Sequence, residues 1–305
     1  MTFAAETKNE LCRARVNRNC CALAESYGAL LYCNTFSQNE IRLMTENEDF
    51  ARRLPLLFQK AFGIRFDREP QTDKQGKMVF SVTDKDKIDR IMDAIGYDRR
   101  QSLAMHVNLA LLEEEHCRVA FLRGAFLAGG SLTDPQKSYH LELAATHLRA
   151  SREVETLLRE MKMNPKSIRR SAYYVIYFKQ SDEIEDFLTM IGAPLAAMNM
   201  MNVKLEKDLH NQVNRKLNCD AANIDKSVEA ARRQVREILL LQERGGCWEE
   251  LPERLRETAE LRLRFPELPL SELAGKFSPP ITKSCLNHRL RKLSGYVKTG
   301  GDQNE

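Results

Sequence analysis

The strongest constraint on this chain is a pattern that occurs twice, 96 residues apart. Cys21, Ala24, Gly28, Ala29 and Leu31 recur as Cys117, Ala120, Gly124, Ala125 and Leu127. Asp86, Ile88, Ile95 and Gly96 recur at the same spacing as Asp182, Ile184, Ile191 and Gly192. Self-similarity at a fixed period points to a duplicated structural unit before any single element is assigned. The element signals agree. In the first copy, Cys20–Cys33 reads as a helix and Glu40–Thr45 as a strand. Asp49–Phe62 is a helix closed by Gly63, and Ile64–Arg68 and Lys77–Thr83 are strands about a polar turn at Asp73–Gly76. Asp86–Ile95 is an amphipathic helix closed by Gly96. After a connector helix at Arg99–Glu115 the order returns: helix Cys117–Ala128, strand His140–Ala145, helix Ser151–Met161, strands Lys166–Ser171 and Ala172–Lys179, and helix Asp182–Ile191 closed by Gly192. The repeats span about 19–97 and 116–193. Such units pack about a pseudo-twofold axis, with the matched small-residue helices against each other and the strands of both halves on one concave surface.

The second small-residue helix lies in FLRGAFLAGGS, Phe121–Ser131. Gly124, Ala125 and Ala128 let another helix approach closely. Gly129 and Gly130 read as a left-handed stop, because glycine enters that conformation at little steric cost. Ser131 and Asp134-Pro135 then supply turn chemistry before a strand.

The flanks differ in character. Residues 1–19 are polar and basic through Arg13, Arg15 and Arg18, and suit an N-terminal helix. Residues 204–224 are polar and Asn-rich, the expected domain boundary. Asp225–Glu243 is an amphipathic helix with Asp225 as N-cap, ended by Gly245-Gly246. The last part, 250–298, carries a three-helix signal. Pro252 suits the first position of a helix running to Phe265, Leu270–Phe277 is a short second helix, and Ser278-Pro279-Pro280 is a turn. Thr282 caps a third helix, Lys283–Leu293, with Leu286, Leu290 and Leu293 at core spacing. Six Lys or Arg and no acidic residue lie between Lys276 and Lys298. Two short helices joined by a tight turn, the second basic and polar outside, read as a helix-turn-helix. Ser284, Asn287, His288 and Arg291 are of the types that hydrogen-bond base edges, and Lys283, Arg289 and Lys292 suit phosphates. A solvated basic face on a small bundle is the alternative.

A net charge of +4 permits a nucleic-acid partner without demanding one. The eight cysteines contain no C-x-x-C pair and no His cluster that completes a zinc site, so they read as separate buried thiols, with no metal and no cofactor. No apolar run reaches membrane-span length, and the N-terminus lacks the apolar core of a signal peptide. A cytoplasmic location without membrane contact is expected.

Three stretches carry a family resemblance. GAFLAGGSLTDPQKSYHLEL, Asn-Cys-Cys-Ala-Leu-Ala-Glu at 19–25, and ITKSCLNHRLRKL at 281–293 resemble the WhiA family, sporulation and cell-division regulators of Gram-positive bacteria. The match covers nearly the whole chain in the right order. It implies an α+β fold: a degenerate LAGLIDADG homing-endonuclease-like αββαββα domain over 1–203 and a linker with a long helix over 204–249. An all-α helix-turn-helix over 250–298 and a disordered tail at 299–305 complete it. Leu122, Gly124, Phe126, Ala128, Gly130 and Ser131 fit the LAGLIDADG pattern. Its metal-binding acids should fall at Gly129 and, in the first repeat, at Cys33. Glycine offers no ligand, and a lone thiol is a poor one for Mg²⁺. The resemblance therefore implies the nuclease fold without nuclease chemistry.

The expected function is sequence-specific binding of double-stranded DNA at promoter-type sites by Thr282, Lys283, Ser284, Asn287, His288, Arg289, Arg291 and Lys292. The resemblance implies a nucleoid-associated regulator serving cell division and chromosome segregation, with sporulation in some relatives. Arg169, Arg170 and Lys179 give the sheet a basic surface, either a second DNA contact or simply solvated. Arg232, Arg233 and Arg236 link domains or touch phosphates. Two alternatives remain: a metal-dependent endonuclease with residual activity, and a scaffold whose concave sheet holds another transcriptional regulator.

Overall fold

The computed structural model describes residues 2–70, 76–97, 105–243 and 246–299. Contacts divide the chain into two compact units, with the break after Asp208. At the centre of the first lie the matched helices α2 (Asn19–Leu31) and α5 (Glu115–Gly129), preceded by α1 (Phe3–Cys12). A β-carbon added to Gly28 would lie 2.0 Å from the carbonyl oxygen of Phe121, and one added to Gly124 would lie 1.9 Å from that of Glu25. Phe121 is the repeat equivalent of Glu25, so this is one contact made twice across a pseudo-twofold axis. Backbone touching backbone is what the small residues permit.

The buried carboxylate of Glu25 fastens the same interface. It accepts from Arg53 Nε at 2.6 Å and Nη2 at 2.9 Å, and Arg123 Nη1 lies 3.4 Å away. Arg53 also donates to the carbonyls of Cys12 and Ala14, at 2.9 and 2.7 Å. Arg123 donates to that of Ile191, at 2.7 Å. A carboxylate out of water needs such partners on both oxygens.

Gly129 and Gly130 do not act as a left-handed stop. Gly129 is the last helical residue, and Gly130 is extended, with φ −86° and ψ 142°. Glycine is required there by space. A β-carbon at Gly129 would lie 2.8 Å from the carbonyl oxygen of Ala144 and 2.9 Å from that of Tyr32, and one at Gly130 would lie 2.4 Å from the Phe126 ring. The expected left-handed closures occur instead at Gly63, Gly96 and Gly192, with φ of 69°, 71° and 102°.

Each copy wraps a sheet and two further helices around its central helix. The first contains β1 (Thr35–Phe36), β2 (Ile41–Thr45), α3 (Glu48–Phe62), β3 (Met78–Val82) and α4 (Lys85–Ala94), with antiparallel sheet order β1-β2-β3. The second contains β4 (Gly130–Leu132), β5 (Leu141–Ala145), α6 (Leu148–Glu160), β6 (Lys166–Arg170), β7 (Tyr173–Phe178) and α7 (Ser181–Ile191), with antiparallel order β4-β5-β7-β6. Alternation fixes the faces. Ile41, Leu43, Phe80 and Val82 point into the core from the first sheet, and Leu141, Leu143, Ile176 and Phe178 from the second.

Two expected elements are absent among the described residues. Ile64–Arg68 forms only a single bridge, Arg68 with Ser81. Ile64 and Phe66 are buried, which gave the alternating signal. The Asp67 carboxylate, however, accepts from the backbone of Thr83 and Asp84, at 2.6 and 2.7 Å, in place of a strand ladder. The described part of the connector, from Met105, is not an α-helix; Leu109–Leu112 is one 3₁₀ turn. Its backbone is satisfied by side chains. Tyr27 accepts from Asn108 N at 2.9 Å, and Glu153 from Val107 N at 2.5 Å. Arg99 to Ala104 and the Asp73 turn lie outside the described residues.

The expected linker is helix. α8 runs unbroken as Pro194–Glu243, so Asp225 is interior rather than a cap. Residues 204–224 contain neither glycine nor proline, and their Leu, Lys, Glu and Arg are good helix formers, which outweighs the asparagines. After α9 (Gly246–Glu249), the second unit adds α10 (Glu253–Arg264), α11 (Leu270–Ala274) and α12 (Lys283–Thr299). Its core joins Leu255, Ala259, Leu273, Phe277, Leu286, Leu290 and Leu293 with Ile238 and Leu241 from α8. The end of α8 thus belongs to this bundle, earlier than the expected start at 250. Pro252 stands at the N-cap of α10, one position before the expected site. The tail from 300 lies outside the described residues. No described helix is long and apolar enough to cross a membrane.

Candidate nucleic-acid interface

The hydroxyl of Thr282 accepts from Cys285 N at 3.2 Å and starts α12. Leu286, Leu290 and Leu293 are buried and lock its inner face to α10 and α11. At about 100° per residue, the opposite face is the row Ser284, His288 and Arg291. All three are exposed, as are Lys283 and Lys292. Asn287 is half-buried on the flank. Arg289 departs from the expected phosphate role. Its guanidinium carbon lies 5.5 Å from the centre of the Phe277 ring, and Nη1 lies 3.8 Å from the Glu257 carboxylate. It is turned inward, packing α12 onto its neighbours.

A buried arginine that the sequence did not single out ties α10 to α8 and to the segment before α11. Arg262 is 1% exposed. It donates to the Leu268 carbonyl at 2.6 Å and to Gln234 Oε1 at 3.0 Å. Burial pushes its pKa down. The charge pattern gave no hint, since Arg262 sits among Arg254, Arg256 and Arg264.

On the second sheet, register separates the three expected basic residues. Arg170 pairs with Tyr173, and Lys166 with Tyr177. Glu142 also pairs with Tyr177, so Lys166, Arg170, Tyr173, Tyr177 and Glu142 share the face away from the core. Lys179 joins them, its ammonium 5.3 Å from the Tyr177 ring centre. Arg169 has the opposite parity and lies 5.7 Å from the ring of Tyr174. The open face therefore carries Lys166, Arg170 and Lys179 rather than Arg169. Arg170 and His140 sit 3.4 and 3.2 Å from the Glu142 carboxylate. Lys166 was legible only once the pairing register was known.

The two positions expected from the resemblance to match metal-binding acids, Cys33 and Gly129, carry no carboxylate. Cys33 is buried and donates to the Thr35 carbonyl at 3.1 Å; burial pushes its thiol up to about 12. Gly129 is closed to any side chain by the carbonyls of Ala144 and Tyr32. Lys8 Nζ donates to the Leu127 carbonyl at 3.1 Å, placing a cation at the negative end of α5. Beside it opens a cleft of about 930 Å³ whose lining includes Lys8, Asn34, Glu46, Glu48, Asp49, Lys77 and Ser131. Glu48 and Asp49 are each paired with Arg52, at 3.1 Å.

The picture of separate buried thiols fails at the other end of the same helices. The ligand atoms of Cys20, Cys21, His116 and Cys117 all lie within 4.8 Å of one another. His116 Nδ1 is 3.4 Å from the sulfur of Cys21 and 3.2 Å from that of Cys117. Burial and the crowding of neighbouring thiols push Cys117 up to about 12. The absence of any C-x-x-C spacing concealed the group, because its members come from both copies of the repeat. Cys219 and Cys285 are also exposed rather than buried; Cys247 lies outside the residues whose side chains are described.

Comparison with known proteins matches residues 118–210 to the WhiA LAGLIDADG-like domain and residues 213–297 to the WhiA C-terminal HTH domain. A "Probable cell division protein WhiA" of Ruminiclostridium cellulolyticum is 36% identical over 301 residues, covering 96% of each chain. One of the same description from Alkaliphilus oremlandii is 37% identical over 307 residues, again covering 96% of each. Among solved structures, full-length DUF199/WhiA from Thermatoga maritima superposes with a TM-score of 0.60 at 25% identity, covering 98% of this chain and 99% of that one.

Proposed function

The chain belongs to the WhiA family, and from that premise we propose that it is a sequence-reading, double-stranded-DNA-binding regulator of transcription that serves cell division. Helix α12 enters the major groove. Ser284, His288 and Arg291 face base edges, with Asn287 at the flank, and Lys283 and Lys292 hold phosphates. The observation that carries the reading is the two-sidedness of α12: three leucines anchor one face, and the face opposite presents a hydrogen-bonding row free of acidic residues. Arg289 acts as packing rather than as a phosphate ligand. The protein works in the cytoplasm on the nucleoid, at promoter-type sites, and chromosome segregation and sporulation genes are within its reach.

The open face of the second sheet supplies a further phosphate contact through Lys166, Arg170 and Lys179. Ile168 and Tyr173, each about half exposed on that face at 50% and 47%, favour a second reading of it as a seat for another regulator. Nuclease chemistry is lost in this reading, because the acid positions are occupied by a neutral buried thiol and by a glycine with no room for a ligand.

Selection of bound fragments from a random double-stranded DNA library with the full chain tests the proposal. A shared short motif is the expected outcome. Fragments without a common motif, with affinity collapsing steeply as salt rises, would reduce the protein to a nonspecific phosphate binder. Incubation of supercoiled plasmid with Mg²⁺ or Mn²⁺ tests the second part. No nicking is expected, and metal-dependent nicking would refute the loss of chemistry.

A further inference from the structure

The four ligand-type residues that gather at the start of the central helix pair stand in matched positions. With Arg18 and Glu114 as the N-caps of α2 and α5, Cys20 and His116 are the second helical residues and Cys21 and Cys117 the third. Cys20 and His116, and likewise Cys21 and Cys117, are equivalents in the 96-residue repeat. The pseudo-twofold contact at Gly28 and Gly124 brings the two helix starts side by side, and with them two pairs of donors. We propose that Cys20, Cys21, Cys117 and His116 through Nδ1 form a tetrahedral site for a thiophilic divalent cation, zinc by its donor set, which clamps the two halves of the first unit together.

The donor chemistry is that of a structural zinc centre, three thiolates and one imidazole. Zn–S bonds of about 2.3 Å and Zn–N bonds of about 2.0–2.1 Å set donors roughly 3.5–3.8 Å apart in a tetrahedron. His116 Nδ1 already lies 3.4 and 3.2 Å from two of the sulfurs, and no pair of donor atoms exceeds 4.8 Å. Closing the shell takes side-chain shifts of about 1 Å or less. Two helix N-termini point at the group and offset part of the excess negative charge that three thiolates leave around a bound dication. Cys20 is exposed and Cys117 buried, so the site has an entry path and a fixed floor. Binding replaces three S–H bonds by three sulfur–metal bonds and releases the three protons to solvent, with no change of oxidation state. Nothing in this requires DNA binding, so the inference stands apart from the proposed function.

The test is metal content of the full chain, purified under reducing conditions without strong chelator, supplied with zinc and passed through a desalting column. About one zinc per chain is expected, as for a closed structural site. Cys20→Ser removes an exposed donor outside the core, so it should fold, as circular dichroism can verify, and fall to background zinc. Cys219→Ser and Cys285→Ser, exposed cysteines elsewhere, should keep the full equivalent. Cobalt in place of zinc should give thiolate charge-transfer bands and the intense ligand-field bands of tetrahedral geometry. Background zinc in the parent chain, a full equivalent retained by Cys20→Ser, or a weak octahedral cobalt spectrum would each overturn the site. A disulfide among Cys20, Cys21 and Cys117, mapped in protein taken under native conditions with thiols trapped, would overturn it too.

Discussion

At Gly28 and Gly124 there is no room for one more carbon, and Glu25 is fully buried. Gly28→Ala or Gly124→Ala forces the central helices apart and should lower stability by about 1–3 kcal/mol or more. Because the two positions form the same contact, the double variant should cost less than the two singles added; urea unfolding of all three measures both points. Glu25→Ala leaves the largely covered Arg53 and Arg123 facing no charge. A loss of about 3–5 kcal/mol is expected from such a broken buried pair, and a change within experimental error would show the network to be solvent-relaxed. Gly129→Asp puts a carboxylate at the position proposed to match a nuclease acid, but its side chain meets the Ala144 and Tyr32 carbonyls. The variant should melt earlier than the parent and still fail to nick plasmid. At this scale the sequence showed that glycines mattered and misread why at 129 and 130: composition announces a small residue, while only the packing tells left-handed backbone from close approach. Arg262 and Glu25 were invisible as buried charges for the same reason, since burial is a property of neighbours.

Among elements, α12 and the β6–β7 pair separate what periodicity reveals from what it hides. The inner leucines and outer polar row of α12 were legible because a helix repeats its faces every three to four residues. The inward turn of Arg289 was not, because it depends on Phe277 and Glu257 in other elements. That difference is measurable. Arg291→Ala should relax preference at one base pair by about 1–3 kcal/mol, whereas Lys292→Ala should weaken binding to all sequences and reduce the salt slope by about 1. Arg289→Ala should lower the melting temperature and leave base preference intact. In β6 and β7 every residue was available to the eye, yet alternation alone did not say which parity faces out; the pairing of Lys166 with Tyr177 settles it. The continuous α8 was hidden by asparagines that depress helix propensity only slightly.

For the whole molecule, the duplicated domain followed by a helix-turn-helix was readable because the repeat and the final basic helix are separate, strong signals. The division after Asp208 falls within the polar stretch 204–224 where the sequence put it; what was hidden is that one helix runs through it and that its last turns, Ile238 and Leu241, complete the core of the second unit. A truncation that starts the second unit at 250 should therefore unfold, while one that begins near Leu209 should fold. The central claim is that base recognition resides in the outer row of α12. The most direct measurement is library selection of double-stranded DNA by three full-length proteins in parallel: the parent, the His288→Ala/Arg291→Ala variant, and the Lys166→Ala/Arg170→Ala/Lys179→Ala variant. The account predicts that the parent and the sheet variant enrich the same motif, the latter with lower affinity, and that the α12 variant loses or degrades it. An unchanged motif from the α12 variant, together with loss of the motif in the sheet variant, would contradict it.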